Sequence, residues 1–197
     1  MEKIMIGIDE AGRGPLAGPV AVGAFAIKSK AMLKQFKGVK ESKQLSQKQR
    51  EGWFKQIKEL QDLNKLGFAV SFCSEVVIDK QGISKAVSLS IARCLKKLNK
   101  QGFCLLQSTI KLDGLLRAPV KYSNQKTIIG GDESEPLIAL ASICAKVLRD
   151  RKMCRLAKQY PKYEFEVHKG YGTKKHYQAI KKYGILPIHR KSYLSSQ

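Results

Sequence analysis

Negative charge is what this sequence has least of. Its 197 residues carry 16 Asp and Glu against 37 Lys and Arg, a formal net charge of +21. An enzyme acting on neutral small molecules has no use for that excess, so a polyanionic partner is implied. Long apolar runs are missing too: nothing approaches the ~20 consecutive apolar residues of a membrane span. Met1-Glu2-Lys3 ahead of a short apolar run lacks the form of a signal peptide. Nucleic acid is therefore favoured over a membrane as the partner, in a cytoplasmic setting.

Other absences narrow the chemistry. Cys73, Cys94, Cys104, Cys144 and Cys154 are odd in number and form no C-x-x-C pair, so they read as reduced core residues. His168, His176 and His189 match no common zinc spacing and read as structural or phosphate-contacting. There is no G-x-S-x-G elbow. Gly7 to Gly12 has P-loop spacing, but Arg13-Gly14 stands where Lys-[Ser/Thr] is required, and two carboxylates inside the loop would repel phosphates. Gly12 to Gly18 is one residue off a dinucleotide fingerprint, with Pro15 where a helix should start.

What is present is a set of carboxylates beside glycines. An apolar strand, Ile4 to Ile8, runs into Asp9-Glu10 and then Gly12-Arg13-Gly14. Adjacent strand residues point to opposite faces, so the two acids share a ligand only where the chain bends or ends. Gly12 and Gly14 supply that bend, and their N–H groups, with the Arg13 fork, suit a phosphate or sugar. The plainer reading is a strand followed by a solvated turn. Downstream, Asp113-Gly114 ends a strand at 108–112, and Asp132 follows Gly130-Gly131 after a short strand at 126–129. Four gathered carboxylates are stable mainly around hard divalent cations, Mg²⁺ or Mn²⁺. On so basic a chain this combination points to phosphodiester hydrolysis by a two-metal site, with ions ~3.5–4 Å apart.

The remaining pattern reads as an α/β fold. A second strand is expected at 19–27, pairing with the first, then a basic irregular connection at 28–40. Ser46 caps a helix to about Leu63 with Trp53, Phe54, Ile57 and Leu60 inward. A strand at 67–73 and a helix from Ser84 follow; Lys96, Lys97 and Lys100 in that helix's last turn complement its dipole. Ser134 caps a long helix opened by Pro136. Its apolar face carries Leu137, Ile138, Ala141, Cys144, Ala145 and Leu148, and its basic face Lys146, Arg149, Arg151, Lys152, Arg155 and Lys158. Asp150 reads as a surface ion-pair partner. From Tyr160 the chain is basic and tyrosine-rich; most of these tyrosines are packing residues, and Tyr171, among Lys169, Lys174 and Lys175, is placed to stack on a nucleotide. Two parts are expected: a core at 1–160 and a basic helical segment at 161–197 packed on it.

These residues also resemble a known family, ribonuclease HII. The resemblance rests on Gly7 to Pro15, Ser42-Lys43-Gln44-Leu45, Asp113-Gly114 and Gly131-Asp132. It continues through Ala141 to Val147 with Arg149-Asp150, His168-Lys169-Gly170-Tyr171 and Leu186-Pro187-Ile188-His189-Arg190. It spans nearly the whole chain in order. It implies a ribonuclease H-like mixed sheet flanked by helices, a metal and catalytic site at Asp9, Glu10, Asp113 and Asp132, and a monomer. The activity it implies is cleavage of RNA paired with DNA, including cleavage 5′ to single ribonucleotides in duplex DNA, leaving 5′-phosphomonoesters, as in ribonucleotide repair. It further implies that Gly12, Arg13 and Gly14 read the 2′-hydroxyl and that Tyr171 stacks beside the next deoxynucleotide. Ser42 and Lys43 would hold phosphate, and Lys146 and Lys169 are counted with them as substrate contacts. Two departures stand out: Glu41 replaces an aspartate before Ser42-Lys43, and Glu133-Ser134-Glu135-Pro136 replaces a lysine-serine pair. No long substrate-binding extension precedes the first strand, unlike ribonuclease HIII. A binding protein with a structural ion site, and a nuclease indifferent to the 2′-hydroxyl, remain the rivals.

Overall fold

The computed structural model describes residues 4–194. Strands β1 (Met5–Ala11), β2 (Val20–Ile27), β3 (Leu66–Cys73), β4 (Thr109–Asp113) and β5 (Gln125–Ile128) form one sheet in the order β3-β2-β1-β4-β5. The β1–β2 and β2–β3 pairs are antiparallel, whereas β1–β4 and β4–β5 are parallel. This is the mixed sheet that the resemblance implied. Helices cover both faces. Helix α1 (Gln47–Asp62) and the long α5 (Pro136–Gln159) pack on one; α2 (Glu75–Gln81) and α3 (Ile83–Lys100) pack on the other.

Strand alternation decides which side each residue serves. Ile6 and Ile8 join Val87, Ile91, Cys94 and Leu95 of α3 in one core, and Phe25 and Ile27 join Phe54, Ile57 and Leu140 in the other. Each such apolar side chain contributes about 1.5–3 kcal/mol on burial. Two glycines set how close α5 can come. A Cβ at Gly7 would lie 2.2 Å from the Leu137 carbonyl, and one at Gly23 2.2 Å from the Ala141 carbonyl oxygen. With no side chain at either position, the α5 backbone lies directly on β1 and β2.

The structure corrects several expectations. Asp9 and Glu10 lie inside β1, paired with Gly23 and Val22 of β2, and not beyond its end. Their access comes from the other side, because β4 pairs with β1 only as far as Ile8–Leu112. The helix α1 does start from Ser46, as a capping box with Gln49. Ser134 does not cap α5; it ends the one-turn α4 (Gly131–Ser134), its hydroxyl donating to the Gly130 carbonyl, and Glu135 is the cap residue. The expected two-faced α5 is buried all round from Leu137 to Ala145, since the sheet and α1 enclose it. The helix α2 and a 3-10 helix at Lys30–Phe36 fall where no regular element was expected. Cys104 is exposed and Cys154 half-buried, unlike the three core cysteines. Beyond α5, α6 (Phe165–His168), α7 (Lys174–Tyr183) and α8 (Lys191–Leu194) follow, with a small core of Ala17, Met153, Ala157, Tyr163 and Phe165 beneath them. No helix among the described residues is long and apolar enough to cross a membrane.

Candidate active site

Parallel pairing puts the C-terminal ends of β1 and β4 at the same edge of the sheet, and there the four acids meet. A cleft of about 440 Å³ is lined by Asp9, Glu10, Asp113 and Asp132, by the Ala11-Gly12-Arg13-Gly14 turn, and by Ser42, Lys43, Arg50, Ser142, Lys146 and Tyr171. Asp113 closes β4, as expected. Asp132 sits on α4 and not at a strand end; Asp113 Oδ1 accepts from the N–H groups of Gly131 (2.8 Å) and Asp132 (3.3 Å) and so ties α4 to the strand.

Asp9 and Glu10 are held in an environment that disfavours their charge. Asp9 is 4% exposed. Burial first, then Glu10 and Asp113, pushes its carboxyl well above the usual range, against hydrogen bonds from Ser142 and from the Glu10 N–H at 2.7 Å. Burial also raises Glu10, with Arg13 opposing it and Asp113 adding to it. Glu10 Oε1 meets Arg13 Nη1 at 3.5 Å, but Glu10 Oε2 is buried without any hydrogen-bond partner. Across the cleft Lys43 Nζ donates to Asp132 Oδ2 at 3.1 Å and stands 3.9 Å from Glu41 Oε2. Burial and Asp132 raise Glu41. For Lys43 partial desolvation pulls downward, and Asp132, Glu41 and Asp9 together outweigh it.

An orphaned buried carboxylate oxygen beside carboxyls pushed up by burial and mutual repulsion fits a site for divalent cations with oxygen ligands. Among the described residues no group of three or more His, Cys, Asp or Glu is arranged as it would need to be to hold a metal ion by itself. Mg²⁺-type sites use one or two carboxylates and leave the remaining positions to water and substrate phosphate, so an open cleft suits them.

Of the expected substrate contacts, Gly12, Arg13, Gly14, Ser42, Lys43, Lys146 and Tyr171 all line the cleft, and Lys169 does not; its ammonium turns back to the Glu166 carbonyl. Tyr171 is 43% exposed, with Lys146 Nζ 6.0 Å and the Arg149 guanidinium 5.9 Å from its ring centre. Asp150 is buried and not a surface residue: it accepts from Lys146 at 2.9 Å, one turn back on α5. Arg149, expected on a solvated basic face, is completely buried.

Sequence reasoning missed Arg50, Ser142 and the roles of Arg149 and Arg190. Arg50 donates to the Ser42 carbonyl at 2.7 Å and to that of Leu45, fixing the turn that carries Ser42 and Lys43. Ser142 meets Ser42 hydroxyl to hydroxyl at 2.7 Å. Ser142 and Lys146 are four apart on α5, one turn on one face, which was the available signal.

Comparison with known proteins identifies relatives of this chain and of its fold. A family model described as ribonuclease HII matches residues 6–196. The chain is 46% identical over 188 residues to the ribonuclease HII of Endomicrobium trichonymphae, covering 95% of this chain and 83% of that one. It is 40% identical over 190 residues to that of Coxiella burnetii, covering 96% and 88%. Among solved structures, the ribonuclease HII of Archaeoglobus fulgidus in complex with PCNA superposes with a TM-score of 0.77 at 25% identity, covering 98% of this chain and 95% of that one. A Bst ribonuclease HIII in complex with Mn²⁺ shares the fold, with a TM-score of 0.70 at 18% identity over 99% of this chain and 70% of that one.

Proposed function

The chain belongs to the ribonuclease HII family, and from that premise we propose that it cleaves the RNA strand of RNA–DNA hybrids and nicks duplex DNA 5′ to a single embedded ribonucleotide. The observation that carries this reading is the meeting of Asp9, Glu10, Asp113 and Asp132 in one basic cleft with Gly12–Gly14 and Tyr171 on its rim.

Each group has a task that its position supports. Asp9, Glu10, Asp113 and Asp132 would hold Mg²⁺ or Mn²⁺, and such ions when bound supply an activated water and charge stabilisation at the leaving oxygen. Lys43, Ser42 and Lys146 hold substrate phosphates, a positioning role without sequence information. The Arg13 and Gly14 N–H groups meet the 2′-hydroxyl, which is what distinguishes RNA from DNA at one nucleotide. Tyr171 offers a ring face to the neighbouring deoxynucleotide, and base or sugar stacking of this kind tolerates any sequence. The net charge of +21 serves the long-range capture of the duplex.

The test is a nicking assay on a DNA duplex carrying one ribonucleotide, beside an all-DNA duplex of the same sequence, with Mg²⁺ or Mn²⁺ and then with chelator. Metal-dependent nicking 5′ to the ribonucleotide alone is the expected result. Equal cutting of the all-DNA duplex would leave a nuclease blind to the sugar. Binding without cutting under either metal would overturn the catalytic reading.

A further inference from the structure

Behind the Gly12–Gly14 turn lie two arginines that are 0% exposed and take no part in the chemistry above. Arg190 donates from Nη2 to the Gly12 carbonyl (2.7 Å), from Nη1 to the Arg13 carbonyl (2.8 Å) and from Nε to the Gly18 carbonyl (3.0 Å). Arg149 donates from Nε to the Pro19 carbonyl (3.0 Å), from Nη1 to that of Lys169 (3.1 Å) and from Nη2 to that of Ala17 (3.4 Å). All six partners are backbone carbonyls. A guanidinium stripped of water and given no carboxylate in this hydrogen-bond set is a costly way to hold a turn, and its fork fixes several carbonyls in one plane.

The geometry has a directional consequence. In a trans peptide the C=O and the following N–H point to opposite sides. Arg190 draws the Gly12 and Arg13 carbonyls inward, so the N–H groups of Arg13 and Gly14 turn away from it, on the side of the cleft. Gly12 makes room for the second arginine: its φ is +85°, and a Cβ there would stand 1.9 Å from Arg149 Nε. The same Arg149 lies under the Tyr171 ring and grips the carbonyl of Lys169, two residues before it. Tyr193 completes the clamp, its hydroxyl donating to the Arg13 carbonyl at 3.0 Å and its ring 5.1 Å from the Arg190 guanidinium.

We infer that Arg149 and Arg190 are positioning residues for sugar discrimination: they turn the carbonyls of the 12–19 segment inward and hold the Arg13 and Gly14 N–H groups in fixed register with the Tyr171 ring. This rests on the reading of Gly12–Gly14 as the element that meets the 2′-hydroxyl. The two halves of the recognition surface come from opposite ends of the chain; backbone hydrogen bonds from Leu16 and Ala17 to the Gly170 carbonyl join them, and the arginines add side-chain bonds behind that junction.

The experiment compares the parent protein with Arg190→Lys, Arg149→Lys, Tyr193→Phe and Gly14→Ala. For each, kcat and KM on the single-ribonucleotide duplex with Mg²⁺ or Mn²⁺, the Kd for an all-DNA duplex of equal length, and the melting temperature are measured. A lysine keeps the charge but lacks the fork. A folded Arg190→Lys should lose about 10- to 100-fold in kcat/KM, as expected for misplaced contacts, while all-DNA affinity stays within about twofold. Tyr193→Phe, which deletes one donor from the Arg13 carbonyl, should show a smaller loss of the same kind, about three- to tenfold. A purely structural role would instead lower the melting temperature and leave turnover per folded molecule intact.

Unchanged turnover in a folded Arg190→Lys, or turnover and all-DNA affinity falling together, overturns the inference. If the lysine variants fail to fold, Tyr193→Phe decides by the same comparison. A Cβ at Gly14 meets no protein atom and stands at the cleft, so Gly14→Ala tests the underlying reading. If it leaves turnover untouched, the loop is not the reader and the clamp falls with it. If it alone cuts turnover, the reading stands and the clamp fails.

Discussion

His176 and His189 meet ring nitrogen to ring nitrogen, Nε2 to Nε2 at 3.1 Å, and both side chains are buried. Their other partners assign every proton. His176 Nδ1 faces the Tyr171 carbonyl at 2.9 Å and must donate to it, so its Nε2 accepts from His189 Nε2–H, and His189 Nδ1 accepts the Leu186 N–H at 2.7 Å. His168, stacked on His176 with centroids 4.4 Å apart, accepts the Gly170 N–H at Nδ1 and donates from Nε2 to the Tyr163 carbonyl. The trio is a neutral structural lock, the structural one of the two roles expected for these histidines, and it carries the backbone of Tyr171.

Acid should open that lock. Burial lowers His168 and His189 and brings His176 down to about 4. A histidine depressed in the fold takes up its proton more readily when unfolded, so the stabilisation is complete above the ordinary value near 6.5 and is lost as pH falls from there toward 4. For His176 the loss is on the order of 3 kcal/mol at the acid end. Thermal melts between pH 7.5 and pH 4 should show the midpoint falling across this window. A flat profile would contradict the neutral assignment.

Asp9→Asn should be inactive yet more heat-stable in metal-free buffer. The raised Asp9 carboxyl means that ionising it opposes folding, a cost that grows as pH rises from the ordinary carboxylate value and is complete once pH has passed the folded-state pKa, and the amide removes that charge. Turnover should fall by about 10²-fold or more. Mg²⁺ or Mn²⁺ should raise the melting temperature of the parent, by mass action about 2.7 kcal/mol at a hundred times Kd, and raise that of Asp9→Asn less. Equal metal-induced shifts in both proteins would remove Asp9 from the ion site.

Gly12→Ala should destabilise the fold by about 2–5 kcal/mol, combining a left-handed backbone with a collision against Arg149. Gly14→Ala, with open space around it, should stay within about 0.5 kcal/mol of the parent. Urea midpoints for the two variants give the comparison directly.

Tyr171→Ala should cost about 10- to 100-fold in kcat/KM on a ribonucleotide-containing duplex, the usual range for one lost stacking platform. Its ring is exposed and belongs to no core cluster, so the melting temperature should barely move. A loss of stability matching the loss of activity would make Tyr171 a packing residue instead.

Much of this protein was already legible in the order of its residues. Asp9, Glu10, Asp113 and Asp132 stand next to or within two residues of glycines near the ends of apolar runs, Ser46 marks a helix start, and the basic excess names a polyanionic partner, because all of these are local or compositional signals. The parts that were not legible depend on chain segments far apart in sequence. Arg149 and Arg190 each look like one more surface cation in a chain with 37 basic residues; only packing strips them of water and turns them onto carbonyls at 12–19. Asp9 and Glu10 are reachable from inside a strand because β4 stops pairing at Ile8, a register no local pattern encodes. Residue type and spacing state which chemistry is available; burial and strand register, which arise only when distant segments meet, decide which charges face the cleft and which hold the turn behind it.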